Sequence, residues 1–387
     1  MVAQYVAIAL QNTIWGIQKR SYIKRNIEHI GNLIGAASRV CELEAPVKLV
    51  AICEGGLTGF TDEIFEYDHV RAAKELYIEI PGEETEALGE ICKTFGIYLI
   101  AQCKARDSEL WPDGDRFFNL AFIIDPTGRV IHKHHKTCVF QREHSTCPHD
   151  IWDRFIEVHG TDPQKLVEAL FPVTRTEIGN IGTLVCMEGS YPEAARALAL
   201  NGAEIIYRPT YPEPWVGPTN DVWVIQNRAH AIFNTCYVIA PNKGNYYAAP
   251  WAVKDWHYTM PTISGARSMI IDYHGRILHE VVSSGDGYSA AILDIEALRE
   301  FRVVSKFQNF LKDLRVEQYK LIYEAAEKRG GIFPKNLWMK EPPKGHAETD
   351  KIFAKVKRSL IDKGIWTKPG KFSDEELKKM LGLGPEE

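Results

Sequence analysis

The chain has 387 residues, of which 45% are hydrophobic and 25% charged, values typical of globular proteins that exclude the disordered and fibrous classes. At ~150 residues per domain the length allows two to three domains, although large sandwich and α/β folds often exceed that size as one domain. The net charge is −5, from 46 Lys and Arg against 51 Asp and Glu, so we expect no nucleic-acid partner.

Apolar runs of strand length alternate with helical stretches over most of the chain, which predicts an α/β fold. In the first helix, apolar residues recur every three or four positions from Ile23 to Ala37 and form one stripe. The turn at 125–128, Asp-Pro-Thr-Gly, predicts a hairpin and therefore a mixed sheet. Predicted strands cover 5–10, 47–53, 97–103, 119–124, 181–185, 204–207, 237–240, 269–272, 277–281 and 290–293, and predicted helices cover 23–37, 83–95, 192–201 and 222–233.

Two segments depart from this alternation. Residues 138–178 are rich in polar, His and Pro residues, and we interpret them as an insertion that carries one short helix. Beyond residue 300 the chain is charged and interrupted by prolines, which predicts an arm on another surface rather than a separate core. We therefore expect a main domain at 1–300 and a C-terminal arm at 301–387.

The chain lacks the signatures of several protein classes. No G-x-G-x-x-G or P-loop motif follows a strand, so neither a dinucleotide site nor a P-loop is supported. No apolar run of about eighteen residues suggests a membrane span, and the start does not have the pattern of a secretory signal. The eight cysteines include no CxxC pair, so we expect mostly buried free thiols in a cytoplasmic protein.

Three predicted strands end in residues that could react together. Cys186 ends an apolar strand, before a turn and a Pro192 that suits a helix start. Glu54 and Lys136 also close strands. A carboxylate can take a thiol proton and later activate water, and an ammonium can stabilise an oxyanion. Because buried free cysteines are commonly structural, the position of Cys186 alone does not identify a nucleophile.

The chain resembles the carbon–nitrogen hydrolase (nitrilase) superfamily, whose members use a Glu-Lys-Cys triad. Carried onto this sequence, the resemblance makes Glu54, Lys136 and Cys186 the catalytic residues. It covers about residues 4–300. The blocks that carry it are CEGGLTGF at 53–60, GRVIHKHHKT at 128–137, CMEGSYPEAARALALNGAEII at 186–206, NRAHAIFNTCYVIAPNKG at 227–244 and SGARSMIIDYHGRIL at 264–278.

The resemblance implies a four-layer α-β-β-α sandwich with two mixed sheets, the hydrolase domain being 1–300. It also implies a homodimer or larger homo-oligomer in which the arm at 301–387 crosses the interface. The implied reaction is hydrolysis of a non-peptide carbon–nitrogen bond in a small molecule, through a cysteine thioester and without a metal or organic cofactor. Amide-type substrates are favoured because Met187 stands where nitrilases carry Trp, and the nitrilase reaction is the alternative. A non-catalytic binding protein of the same fold would normally have lost a triad residue.

Three further residues take roles from the resemblance. Glu143 lies seven residues after Lys136, at the position of a second family glutamate that orients substrate or water, and a solvated loop acid is the alternative. The backbone N–H of Met187 would be the second oxyanion donor. Glu188 would orient the turn after the cysteine rather than react.

Other features of these segments leave alternatives open. Lys133 could replace Lys136, but residues three apart on a strand face opposite sides, so only one can point inward. The aromatic residues would wall the pocket or simply pack in the core; they are Tyr191, Tyr211, Trp215, Tyr246, Tyr247, Trp251 and Trp256. A zinc site is disfavoured because the spacings are irregular; the residues concerned are His134, His135, Cys138, His144, Cys147 and His149.

Overall fold

The computed structural model describes residues 1–211, 221–248 and 266–384, together with the backbone of 261–263. The strands are β1 Tyr5–Gln11, β2 Ile14–Trp15, β3 Val47–Ala51, β4 Ile78–Glu79, β5 Tyr98–Arg106, β6 Phe118–Ile124, β7 Val130–His135, β8 Val173–Thr176, β9 Gly179–Thr183, β10 Ile205–Tyr207, β11 Tyr237–Ala240, β12 Asn245–Tyr247, β13 Pro261–Ile263, β14 Met269–Ile271, β15 Ile277–Glu280 and β16 Gly287–Leu293. The α-helices are α1 Ile23–Cys41, α2 Thr61–Ile64, α3 His69–Glu75, α4 Glu83–Phe95, α5 Trp152–His159, α6 Pro163–Leu170, α7 Pro192–Leu200, α8 Val222–Asn234, α9 Ile295–Val304, α10 Val316–Lys328, α11 His346–Asp362 and α12 Asp374–Met380.

Two large mixed sheets form the centre of the molecule. The first has the strand order β16-β1-β3-β5-β6-β7, with β4 beside β5. The second has the order β15-β14-β11-β10-β9-β8. Parallel pairs lie in the middle of each sheet, and β6 and β7 form the antiparallel hairpin predicted from the turn at 125–128. Strands β13, β12 and β2 form a smaller third sheet.

Side chains alternate along each strand, so neighbouring residues of a strand lie in different apolar layers. In β1, Val6 and Ile8 face α1 and α4, whereas Ala7 and Ala9 face the second sheet. In the second sheet, Ile206 of β10 packs in the layer formed with α7 and α8. The order of layers is therefore helix, sheet, sheet, helix, which confirms the four-layer sandwich.

The predicted insertion at 138–178 contains more regular structure than one short helix. It holds a short 3-10 helix at Pro148–Ile151, followed by α5, α6 and β8. Strand β8 pairs antiparallel with β9 at the edge of the second sheet. Its sequence, VTRT, was not recognised as a strand because it is half-buried at an edge and shows no strict alternation of apolar and polar residues.

The C-terminal arm has helices but little core of its own. Helix α9 crosses residue 300 and ends at Val304, and α10 buries none of its side chains. Other parts of the arm lie against the sandwich, with Trp338 8% exposed and Leu360 9% exposed. The division into domain and arm stays a prediction. Among the helices described here, none is both long and apolar enough to cross a membrane.

Candidate active site

Glu54, Lys136 and Cys186 lie together where strands of both sheets end. Glu54 and Lys136 follow β3 and β7 of the first sheet, and Cys186 follows β9 of the second. The Nζ atom of Lys136 is 3.1 Å from Oε1 of Glu54. The Thr210 hydroxyl donates to Cys186 Sγ at 3.5 Å, and the N–H of Tyr211 donates to Glu54 Oε2 at 2.9 Å. The three residues predicted from strand ends thus share one site.

Glu143 completes a buried cluster of two carboxylates around Lys136. Its Oε2 is 2.6 Å from Lys136 Nζ, and the three side chains of the cluster are at most 4% exposed. Burial would lower the pKa of Lys136, but the carboxylates of Glu143 and Glu54 raise it well above its usual value. Burial would raise the pKa of Glu143, but Lys136 and Lys104 lower it below its usual value. Both groups are therefore ionised at neutral pH, and Glu143 is not a solvated loop acid.

Two buried amides that the sequence reasoning missed hold the carboxylates in place. Asn119 Nδ2 donates to Glu54 Oε1 at 3.0 Å and to Glu143 Oε1 at 2.9 Å. Gln102 Nε2 donates to the side-chain oxygen Oδ1 of Asn119, and Gln102 Oε1 accepts from the N–H of Gly55 at 2.5 Å. Both amides are at most 1% exposed and lie on strands that are otherwise mainly apolar. The sequence does signal both amides, because each is a polar residue within a mainly apolar strand. Such a residue is buried and needs hydrogen-bond partners.

Cys186 has a strained backbone that its neighbours hold. Its φ is +46°, in the left-handed region that non-glycine residues rarely adopt. Its N–H donates to the Pro209 carbonyl at 2.9 Å, and its carbonyl accepts from Arg208 Nη2 at 3.1 Å. A Cβ at Gly189 would lie 2.1 Å from Arg208 Nε, so the guanidinium fits only beside glycine. Met187 is the next residue in the short 3-10 helix that starts at Cys186.

Glu188 joins the cysteine-bearing and lysine-bearing segments. Its Oε2 accepts from the N–H of Val185, the residue before the cysteine, at 2.6 Å. Its Oε1 accepts from the N–H and hydroxyl of Thr137, the residue after the lysine, at 2.7 and 2.6 Å, and lies 3.3 Å from His134 Nε2. Burial would raise the pKa of Glu188, but His134 and Thr137 lower it below its usual value. Glu188 is therefore an ionised link between the two segments.

The other candidates in strand β7 make their contacts away from Glu54, Lys136 and Cys186. Lys133 Nζ pairs with Asp107 at 3.2 Å and with Glu109 at 2.7 Å, so its ammonium is separate from that of Lys136. His135 Nε2 lies 3.0 Å from an Asp107 oxygen. Within the ranges that the structure describes, no group of three His, Cys, Asp or Glu side chains could hold a metal ion.

Some of the predicted aromatic residues lie beside Glu54. Tyr211, which donates its N–H to Glu54, packs edge-on against Tyr246 with ring centroids 5.0 Å apart. Tyr247 instead stacks on Trp15 at 6.0 Å, and Tyr191 is 43% exposed. The remaining predicted aromatic residues lie outside the described residues; they are Trp215, Trp251 and Trp256.

Several known proteins are similar to this chain in sequence or in fold. The human protein named deaminated glutathione amidase is 27% identical over 255 residues, which cover 64% of this chain and 70% of that protein. The structure of Saccharomyces cerevisiae Nit3, described as a member of branch 10 of the nitrilase superfamily, superposes with a TM-score of 0.57 at 20% identity. That superposition covers 79% of this chain and 95% of Nit3.

An amidase from Nesterenkonia has the same fold, with a TM-score of 0.56 at 18% identity over 82% of this chain and 96% of that one. The superposed structure is of a mutant that carries the acetamide moiety of fluoroacetamide, covalently added at the active-site cysteine. The sequence model of the carbon–nitrogen hydrolase family matches residues 6–303 of this chain. The chain therefore belongs to the carbon–nitrogen hydrolase (nitrilase) superfamily, and it is a hydrolase of carbon–nitrogen bonds other than peptide bonds.

Proposed function

We propose that this hydrolase cleaves the carbon–nitrogen bond of a small amide or N-carbamoyl compound through a thioester on Cys186. An amide yields the acid and ammonia, and an N-carbamoyl compound yields ammonia and a carbamic acid that loses carbon dioxide. The observation that carries the proposal is the buried Lys136 ammonium between two carboxylates, 3.1 Å from Glu54 and 2.6 Å from Glu143, beside the cysteine. An ammonium that stays charged in a buried site is suited to stabilise a developing oxyanion. A carboxylate in the same site is suited to move protons.

The first half of the proposed reaction forms the thioester. Glu54 accepts the thiol proton of Cys186 while the sulfur attacks the substrate carbonyl carbon and the carbonyl becomes an oxyanion. Lys136 and the N–H of Met187 donate to that oxyanion. When the tetrahedral intermediate collapses, the carbon–nitrogen bond breaks and Glu54 returns its proton to the leaving nitrogen. Ammonia departs and the acyl group stays on sulfur.

The second half consumes one water. Glu54 accepts a proton from the water as its oxygen attacks the thioester carbonyl, and the same two donors stabilise the second oxyanion. Collapse of this intermediate breaks the carbon–sulfur bond, the acid leaves, and the proton returns to Cys186. Glu143 orients the Lys136 ammonium and, with it, the substrate or the water. The proposed steps use three side chains, one backbone N–H and one water molecule.

Similarity to named amidases supports an amide over a nitrile. The human relative is an amidase by name, and the Nesterenkonia amidase mutant is modified on its active-site cysteine. Both the carbonyl and the NH₂ of an amide need hydrogen-bond partners once they are desolvated, and this site is rich in buried polar groups.

The test is an ammonia-release assay on simple amides, N-carbamoyl compounds and the nitriles matched to those amides. We expect turnover of at least one amide-type compound, a higher kcat/KM for it than for its nitrile, and loss of turnover in Cys186→Ala. A preference of about tenfold or more for the nitrile, which corresponds to about 1.4 kcal/mol in the transition state, would reverse the substrate assignment. Substantial turnover by Cys186→Ala would exclude the thioester mechanism.

A further inference from the structure

The C-terminal arm, whose helices α10–α12 lie beyond the family match, contacts the segment that carries Glu143. Near Trp338 the arm pairs with the sandwich through its backbone. The N–H of Asn336 donates to the carbonyl of His149, and the N–H of Trp338 donates to the carbonyl of Asp150, both at 3.0 Å. The Trp338 carbonyl accepts from Nη2 of Arg116, a side chain 1% exposed, at 3.1 Å. This part of the arm is thus built into the sandwich.

Helix α11 of the arm binds the two residues that precede Glu143. Asp350 Oδ1 accepts from Gln141 Nε2 at 2.6 Å, and Asp350 Oδ2 accepts from Arg142 Nη2 at 3.1 Å. Glu143 itself turns inward to Lys136. The outward side chains of this short segment therefore contact the arm while its inward side chain contacts the triad.

The start of α11 contacts the residue that follows Glu143. The rings of His346 and His144 pack with centroids 4.8 Å apart, and His144 is 2% exposed. The N–H of His346 donates to Oε1 of Glu66 at 2.8 Å, which links the arm to the turn between α2 and α3. The arm thus contacts the residues on both sides of Glu143 and the turn that holds Glu66.

We propose that the arm is an intramolecular brace for the active site, in which His346 and Asp350 of α11 position Glu143 by holding residues 141–144. The inference rests on the proposed role of Glu143 beside Lys136. His346 and Asp350 are positioning residues, because they touch only the neighbours of the buried cluster. The brace requires the arm to lie on its own sandwich at this place, even if other parts of the arm cross to a second copy.

A double substitution is needed to release the brace. The side chains of the Arg142–Asp350 pair are 57% and 36% exposed, and an exposed ion pair contributes little by itself. The His346 ring and the hydrogen bond to Gln141 must therefore also be removed. His346→Ala with Asp350→Ala removes all three contacts and leaves the backbone contacts near Trp338 intact. Since small displacements of positioned groups reduce turnover, we expect kcat to fall about three- to tenfold while KM changes less than about twofold.

Two matched variants separate the brace from a general effect on the arm. Asp362→Ala removes a carboxylate from the same helix whose partner is Arg358, within α11, and it should leave kcat unchanged. His346→Phe with Asp350→Asn keeps a ring and a hydrogen-bond acceptor, and it should return kcat to within about twofold of the parent value.

The deciding measurement is hydrogen–deuterium exchange of residues 137–153 in the full-length protein, because it does not depend on turnover. Faster exchange there in the double-alanine variant, and not in Asp362→Ala, is the expected result. Unchanged exchange in the double-alanine variant would overturn the brace, as would a normal kcat in that variant when the parent enzyme is active. Failure of the proposed function has a different signature, namely no ammonia release by the parent enzyme or full activity without Cys186.

Discussion

Replacing Glu188 by Gln tests whether this buried carboxylate joins the two halves of the site. The substitution keeps the shape of the side chain but turns one acceptor oxygen into an NH₂ group. If the NH₂ group replaces Oε2 it faces the N–H of Val185, and if it replaces Oε1 it faces the two donors of Thr137 and the His134 ring. Either orientation sets donor against donor in a site that is 0% exposed.

The expected cost follows from the bonds that are lost. A hydrogen bond to a charged group contributes about 1.5–3 kcal/mol, so losing at least one should lower the free energy of unfolding of Glu188→Gln by about that amount. At about 2.1 cal/mol/K of unfolding entropy per residue, the melting temperature of this 387-residue chain should fall by about 2–4 °C. Because the link positions the lysine and cysteine segments relative to each other, kcat should fall about tenfold.

The pH dependence gives an independent check. The pKa of Glu188 is lowered in the folded protein, so its stabilising contribution is present above the usual glutamate pKa and is lost as the pH falls through the lowered value. Gln cannot titrate. The stability difference between parent and Glu188→Gln should therefore be full at neutral pH and shrink at acid pH.

The assay is thermal unfolding and steady-state kinetics of the parent, Glu188→Gln and the control Glu109→Gln. Glu109 is 79% exposed and forms one surface ion pair with Lys133, so its substitution should cost less than about 1 kcal/mol. A Glu188→Gln protein with the melting temperature and kcat of the parent would refute the linking role. So would a stability difference that grows as the pH falls.

Three other predictions follow from the site and the arm. Lys136→Ala should lower kcat by at least about 100-fold, whereas the kcat of Lys133→Ala should stay near that of the parent. A large loss of kcat in Lys133→Ala and not in Lys136→Ala would contradict the proposed oxyanion role of Lys136. Asn119→Ala removes the donor shared by two buried carboxylates and should destabilise the fold by about 1.5–3 kcal/mol in urea unfolding. Truncation after Ser305, beyond the end of α9, should lower the number of chains per oligomer in sedimentation velocity, because α10 buries none of its side chains against its own sandwich. An unchanged number of chains would count against an arm-mediated oligomer.

Much of the fold could be predicted because its signals are local. Helix α4 runs from Glu83 to Phe95 as predicted, since Gly96 adopts the left-handed conformation that ends a helix. Strand β11 also has the predicted bounds, 237–240. Helix α10 was not predicted because it lies in a charged segment and buries none of its side chains. Helix α11 was not predicted because its contacts are with residues distant in sequence, at 141–144. Strand β8 was missed for a similar reason, since its identity depends on pairing with β9.

The site could be predicted only in part, because some of its signals are local in sequence and others depend on tertiary packing. Strand ends and the resemblance pointed to Glu54, Lys136 and Cys186, and the structure brings these side chains together. The amide network behind them depends on the register between β5 and β6, which places Gln102 near Asn119 and which no local pattern encodes. The contact of the arm with the flanks of Glu143 depends on tertiary packing alone.

The most direct test of the thioester mechanism is intact-mass and peptide-level mass spectrometry of the enzyme quenched in acid during turnover of an amide substrate. The mechanism predicts a mass increase equal to the acyl group, located on Cys186 and absent from Cys186→Ala. An acyl group on a different residue, or continued turnover by the Cys186→Ala protein, would contradict it.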